Sequence, residues 1–342
     1  MSAASWTMNP PEASSERPRR PLRGRVLLAA KLLVTGGLAV WLVRSMVLRD
    51  GADALGARLG SLAWPWIGAA IAIHFAAAFA GTLRWSVLLS ARGLGQPLGA
   101  LFRTFLAGRF VGAFTPSTTG LDGYRALEIG RRTGKLAASA AVIVIEKLFG
   151  LIGMALVCAA LLPFGLLERL GPSALLVALG MAAAAAVGLL VIGAPARARG
   201  LAERAPGSLR GPAVKVADAL GQGALGPAAS GQALLLGVLT HLGLSATFAA
   251  SGLALGVEVG PLELLAVGNA ITLAVLLPVS IGGVGVREGT AVVLLTAAGV
   301  STTDAVLLAL LGYLTGQAPA LLGGVFFAAA GPAAPGDRGA PG

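Results

Sequence analysis

Two stretches of this chain share a pattern of residues suited to holding an anion. The first reads Pro116-Ser-Thr-Thr-Gly-Leu-Asp-Gly-Tyr-Arg125 and the second reads Pro278-Val-Ser-Ile-Gly-Gly-Val-Gly-Val-Arg287. Both fit P-x-[ST]-x-G-x-x-G-x-R without gaps, at an offset of 162 residues (287 − 125). Each residue type has a use in such a stretch. Proline ends the helix that enters it. Thr118 and Ser280 can satisfy the backbone groups set free. Gly120, Gly123, Gly282, Gly283 and Gly285 permit positive φ and leave backbone N–H groups open to a ligand. The helix that follows offers a partly positive N-terminus, and Arg125 or Arg287 sits at or just inside it. A guanidinium meets phosphate in a bidentate fork, so phosphate is the anion that fits best. The alternative is that each arginine caps carbonyls of the opposite stretch.

Other ionisable residues fall inside apolar runs. Glu146 and Lys147 lie in the middle of LAASAAVIVIEKLFGLIGMAL. Charges at such a place are costly and are usually paired or functional. Neighbours in a helix point to different sides, so these two do not pair with each other. Arg125 or Arg287 is the expected partner of Glu146. Asp122 and Glu288 flank the two motifs, as counter-ions for the arginines, as proton-coupling groups, or as helix N-terminal caps. Arg84 sits in the last turns of its run, where snorkelling to lipid phosphates would explain it. Arg103 and Arg109 are deeper. His74 and His241 suit interhelical hydrogen bonds or a proton relay; Asn269 and Gln317 read as packing polar groups. No HExxH, P-loop, GxSxG or His/Cys metal cluster is present, and no cofactor is expected.

The elements that must position these groups are membrane helices. Of 342 residues, 56% are apolar and 12% are charged, with a mean hydropathy of +0.83. Soluble domains carry roughly 25% charged residues. A run of about 18–25 apolar residues crosses a hydrocarbon core as a helix. Six such spans are expected, at about 25–48, 64–90, 136–162, 173–193, 231–256 and 304–329. Two further apolar stretches, Leu101 to Thr115 and Leu262 to Leu277, run into the two motifs. Short helices follow, at Tyr124 to Arg132 and Glu288 to Ala298. The expected fold is therefore all-α: about six full spans plus two re-entrant hairpins, whose irregular backbone should line a cavity. Fifty glycines suit close helix packing in lipid.

Charge placement supports that topology. With the N-terminus inside, cytoplasmic segments collect Arg17, Arg19, Arg20, Arg23, Arg25, Arg92, Arg131, Arg132, Lys135, Arg197, Arg199, Arg204, Arg210, Lys215 and Arg338, whereas external loops hold Arg49, Arg58 and Arg169. The net charge of +11 thus follows the positive-inside rule and calls for no nucleic-acid partner. Three spans separate the hairpins, an odd number, so the unit 64–162 is mirrored by the unit 231–329 in opposite orientation. Paired interrupted segments of this kind point to a transporter site near the midplane. Residues 1–24 form a disordered cytoplasmic N-terminus, 25–330 the membrane domain and 331–342 a disordered tail. A short amphipathic helix is expected near Ala213 to Leu220 in the 194–230 loop. The one cysteine, Cys158, excludes a disulfide framework.

The stretch FLAGRFVGAFTPSTTGLDGYRALEIGRRTGKLAASAAVIVIEKLFG resembles the signature of the lysylphosphatidylglycerol synthase transmembrane-region family of flippase-like proteins. LLPVSIGGVGVREGTAVVLLTAAGVSTTDAVLLALL resembles its second signature, and RWSVLL at 84–89 fits too. Leu121 departs from the pattern, because a second glycine often stands there. The resemblance covers roughly 25–330. It implies a multi-pass protein of the bacterial inner membrane with both termini cytoplasmic, moving a lipid with an anionic phosphate headgroup. That lipid is a phospholipid, an aminoacyl-phospholipid or a polyprenyl-phosphate carrier. Multiple peptide resistance factor proteins add a soluble aminoacyltransferase domain that this chain lacks, so synthesis of aminoacyl lipids is not implied. The expected partners are membrane lipids and a separately encoded synthase or glycosyltransferase. Two rival readings are a membrane transferase with a lipid-phosphate donor, using Asp122 or Glu146 as base, and a scaffold for such an enzyme.

Overall fold

The structure, a computed structural model, describes residues 44, 52–113, 119–171, 173–221, 225–276 and 283–329. The expected first span at 25–48 (Arg44 apart), both terminal segments, Thr118, Ser280 and Gly282 lie outside these residues. Among the described residues the chain is all-helical. After a short helix α1 (Ala52–Gly60) come α2 (Trp64–Ala91), α3 (Leu98–Ala113), α4 (Thr119–Thr133) and α5 (Leu136–Leu161). Leu167–Leu170 forms the single-turn α6, and α7 follows at Ser173–Gly193. A connector of α8 (Pro195–Glu203) and α9 (Gly207–Gly221) leads to α10 (Pro227–Ala254), α11 (Pro261–Ala274), α12 (Val286–Thr296), α13 (Thr302–Gly316) and α14 (Ala318–Ala329).

Four helical stretches are long and apolar enough to cross a membrane: Trp64–Ala91, Leu136–Leu166, Pro227–Ala254 and Thr302–Ala329. Their ends follow from local sequence. Pro65 and Pro227 stand in the first turns of α2 and α10, where the missing N–H has no helical partner to lose. Pro163 and Gly165, the latter at φ 85°, end the apolar run of α5. The expected single span at 304–329 is two helices. Gln317 separates α13 from α14, with Pro319 in the first turn of α14; proline cannot donate the hydrogen bond that would continue α13.

Two apolar clusters form the core. One gathers Trp85, Leu88, Leu101, Ile129, Val142 and Phe149 from α2 to α5. The other gathers Leu264, Ile271, Leu294, Leu295, Val306 and Leu308 from α11 to α13, with Val157 and Leu161 of α5. They meet across α2 and α10, which pack along their length. Ala63 N–H donates to the Ala254 carbonyl at 2.9 Å. Further along, Ala77 approaches Gly243 so closely that a Cβ there would sit 2.9 Å from that of Ala77. The start of α2 therefore lies against the end of α10, and the two run antiparallel. These are corresponding helices of the two motif-bearing units. Small residues permit the approach, as membrane interfaces without a hydrophobic driving force require.

Each motif joins two helices that fold back on each other. Thr104 of α3 lies 3.4 Å from Arg132 of α4, and a Cβ on Gly112 would meet Leu121 at 3.2 Å. So α3 and α4 form an antiparallel hairpin, and α11 packs against α12. Leu121 has a use here: its side chain seats on the bare surface of Gly108 and Gly112. The 194–230 connector holds two helices where one was expected. It is also tied to the bundle: Ala217 and Ala219 are buried, α9 packs on α5, and Arg92 donates to the Ala219 and Leu220 carbonyls at the end of α9 at 2.8 and 3.1 Å.

Candidate functional site

The first hairpin builds a chain of ion pairs. Asp122 stands in the first turn of α4 and Arg125 one turn on, at the i,i+3 spacing that brings side chains together. Arg125 Nη2 lies 2.8 Å from Asp122 Oδ1, and Arg125 Nη1 lies 2.8 Å from Glu146 Oε2. The other oxygen of Glu146 accepts from Arg84 Nη2 at 3.1 Å. Lys147 Nζ reaches Asp122 Oδ2 at 2.8 Å. The expected divergence of Glu146 and Lys147 holds, since Glu146 reaches Arg125 and Arg84 whereas Lys147 reaches Asp122. Arg125 is also flanked by the rings of Trp85 and Phe105, at 4.9 and 5.0 Å, which favours a cation.

The centre of this network is buried: Arg125, Glu146 and Arg84 are 2%, 3% and 8% exposed. Among the described residues three cations face two carboxylates, a net charge of +1 (3 − 2). Arg84 Nε and Nη1 and Arg125 Nε are buried N–H groups with no hydrogen-bond partner among the described residues. Unmet donors on a net cationic cluster are what an incoming anion would satisfy. Snorkelling does not describe Arg84. Its guanidinium points inward, past the bare Cα positions of Gly150 and Gly237, where a Cβ would come within 3.3 and 3.4 Å of Nη1.

The second hairpin is arranged locally. Gly283 and Gly285 adopt φ of 76° and 83°, the left-handed region that glycine enters without strain. Glu288 closes the N-terminus of α12, accepting the Gly285 N–H at 2.6 Å. The same carboxylate lies 3.4 Å from Arg287 Nη1. Arg287 covers the ring of Tyr313, with Cζ 4.0 Å from its centre. Arg287 is 3% exposed and Glu288 0%. Among the described residues, the carboxylate that meets Arg287 here is that of its sequence neighbour.

The expected site residues thus gather in two groups: Asp122, Arg125 and Glu146 in one, and Gly283, Gly285, Arg287 and Glu288 in the other. Glu146 takes Arg125, not Arg287, as its partner. Gly120 and Gly123 lie in the opening turns of α4, and a Cβ on Gly123 would meet nothing within 4 Å, so no packing contact demands glycine there. Arg125 is a full turn deeper in its helix than a terminal position, whereas Arg287 is the second residue of α12. Sequence reasoning missed Arg84 and Lys147 as members of the first group. The signal for Arg84 was an in-span carboxylate, Glu146, with more cations than one in reach.

A third polar group lies apart from both motifs. Arg109 contacts His74 and the Gly316 carbonyl. His241 is separate from it and has an unpartnered Nδ1. Ser245 reaches Asn269 at 3.5 Å. Arg103 is exposed. Among the described residues no cluster of His, Cys, Asp or Glu could hold a metal ion.

No curated protein and no solved structure matches the chain. The model of the family described as "Lysylphosphatidylglycerol synthase TM region" matches residues 28–324, which takes in three of the four long apolar stretches and most of the fourth, both hairpins and every ion pair of the two motif groups. The chain is a multi-pass membrane protein that belongs to the lysylphosphatidylglycerol synthase transmembrane-region family.

Proposed function

We propose that this protein translocates a lipid with an anionic phosphate headgroup between membrane leaflets. The observation that carries this reading is the buried first network: three cations against two carboxylates, with three guanidinium nitrogens lacking partners. A headgroup phosphate would take up the unmet donors of Arg84 and Arg125 and supply the missing negative charge. Glu146 bridges both arginines. It would yield one of them to the phosphate and reclaim it on release. Gly283 and Gly285, beside Arg287, would offer backbone N–H groups at a second contact. The topology that suits this is six spans with two re-entrant hairpins of opposite orientation, in a bacterial inner membrane with both termini cytoplasmic. The antiparallel packing of α2 on α10 supports it. A separately encoded synthase or glycosyltransferase would supply or consume the lipid.

The test is reconstitution with a fluorescent phosphatidylglycerol whose outer-leaflet label is quenched from outside. Wild-type protein is expected to expose the inner-leaflet label. Arg125→Gln and Arg287→Gln are expected to abolish that exposure, and undiminished transport by the Arg125 variant would sink the site assignment.

A further inference from the structure

The polar cluster that the proposed headgroup site leaves unused lies where α2, α3, α10 and α13 meet. Arg109, on α3 shortly before the first motif, brings Nη2 to 2.9 Å from His74 Nε2 and donates to the Gly316 carbonyl at 3.0 Å. His74 Nδ1 is 3.4 Å from Thr247 Oγ1. The ring is 7% exposed and lies flat on Gly316, where a Cβ would come within 3.0 Å of Cε1. Gly316 is the last residue of α13, at the turn into α14.

The hydrogen bonds define the state of the ring. A guanidinium only donates, so Nε2 accepts and the ring proton is on Nδ1. Thr247 spends its own proton on the Gly243 carbonyl at 3.0 Å, which leaves its oxygen to accept from Nδ1. The groups facing the ring are Arg109 from α3, Thr247 from α10 and the Gly316 carbonyl from α13. Arg109 is the charged one among them. An imidazolium has no lone pair for Arg109 and would stand 2.9 Å from a second cation.

Arg109 is itself uncompensated. Arg84, Arg125 and Arg287 each reach a glutamate, but Arg109 reaches no carboxylate among the described residues. The carboxyl end of α13 offers only about half an elementary charge. The Arg109 Nε is buried without a partner. A part-buried cation in this condition calls for an anion, and an anion placed there would remove the obstacle to a charged ring beside it.

We propose that Arg109 is a second site for a phosphate-class anion, and that filling it is coupled to uptake of a proton from water by His74. This rests on the reading that the chain carries an anionic headgroup, and it names the driving ion. The anion and the proton bind together, so a pH gradient can drive the lipid. Protonation also breaks the His74–Arg109 bond, one of the contacts between the first hairpin and α2.

The test titrates the full chain, in nanodiscs of phosphatidylcholine, with dihexanoyl-phosphatidylglycerol and separately with inorganic phosphate. Calorimetry in buffers of different ionisation heat counts protons taken up per anion bound. At about pH 6, below the usual imidazole value of about 6.5, wild-type protein is expected to take up at least about half a proton per anion. His74→Gln keeps an acceptor for Arg109, and should bind the anion without proton uptake. Arg109→Gln should lose the proton-linked binding, whereas Arg125→Gln should keep it. Binding to wild-type protein without proton uptake overturns the coupling and leaves the headgroup reading standing. Equal uptake by His74→Gln also overturns it. Failure of both probes to bind wild-type protein overturns the headgroup reading together with this inference. Equal proton-linked binding of both probes supports the coupling with free phosphate as the ligand, and preference for the phospholipid supports the headgroup.

Discussion

Arg125 is held by carboxylates from two helices and flanked by rings from two more, whereas Arg287 is held by the residue next to it and by one ring. The two share a motif. They differ in what surrounds them. The first network joins α2, α4 and α5 through Glu146, so it fixes three helices relative to one another. It carries excess positive charge and unmet donors. The second pairs Arg287 with Glu288, which caps its own helix, and Tyr313 links it to a neighbouring helix. Equal motifs therefore do not make equal sites. An arginine bound by distant partners reports on the arrangement of the bundle, and can exchange those partners for a ligand. An arginine bound by its neighbour is mainly a feature of its own helix end.

That contrast can be broken by measurement. The largest effect is expected at Glu146. Glu146→Gln leaves Arg84 and Arg125 buried without their shared carboxylate, a loss of about 3–5 kcal/mol. Thermal melting of purified protein in detergent would read it, and a shift no greater than that of Glu288→Gln would erase the distinction. Glu288→Gln retains an acceptor for the Gly285 N–H, so it should lose about 1–3 kcal/mol. Tyr313→Leu tests the ring beneath Arg287, with an expected cost of about 1–2 kcal/mol. A smaller loss for Tyr313→Phe, which keeps the ring, would confirm that the face of the ring matters. The smallest effect is expected at Lys147, whose side chain is 47% exposed. Lys147→Gln should cost less than about 1 kcal/mol, and a larger loss would mean that the network depends on all three cations.

One ion pair outside the bundle provides a scale for these numbers. Arg58 of α1 lies 2.6 Å from Asp304 in the first turn of α13. The hydrogen bond with Asp304 holds the guanidinium above its ordinary value, so it stays charged at any working pH. The pair is partly exposed, and Asp304→Asn should shift melting by about 1 kcal/mol or less.

Much of this was legible from the residues alone. Apolar run length located α2, α5, α7 and α10 to within a few residues, because a helix in lipid must satisfy its own backbone and span a set thickness. Gly283 and Gly285 of the second motif marked the left-handed backbone before α12, whereas Gly120 and Gly123 of the first lie within α4. Adjacent Glu146 and Lys147 were correctly read as pointing apart, because helix geometry alone decides that. Glu146 was rightly matched to Arg125 as one of two candidates. The interruption at Gln317 was not read, although Pro319 marks it, because the apolar run continues without a break in hydropathy.

What the tertiary structure alone decided is which charges meet. Arg84 is 62 residues from Glu146, and Arg109 is 35 from His74 and 207 from Gly316. No local rule relates residues so far apart. Their contacts follow from how closely α2, α5 and α10 approach, which the bare surfaces of Gly150, Gly237 and Gly316 permit. The sequence by itself determined that the chain lives in a membrane and folds back twice, because those properties depend on residues within one or two turns. Whether an arginine there is a lipid-facing snorkel or half of a buried pair depends on the neighbour that packs against it, and only the assembled bundle supplies that.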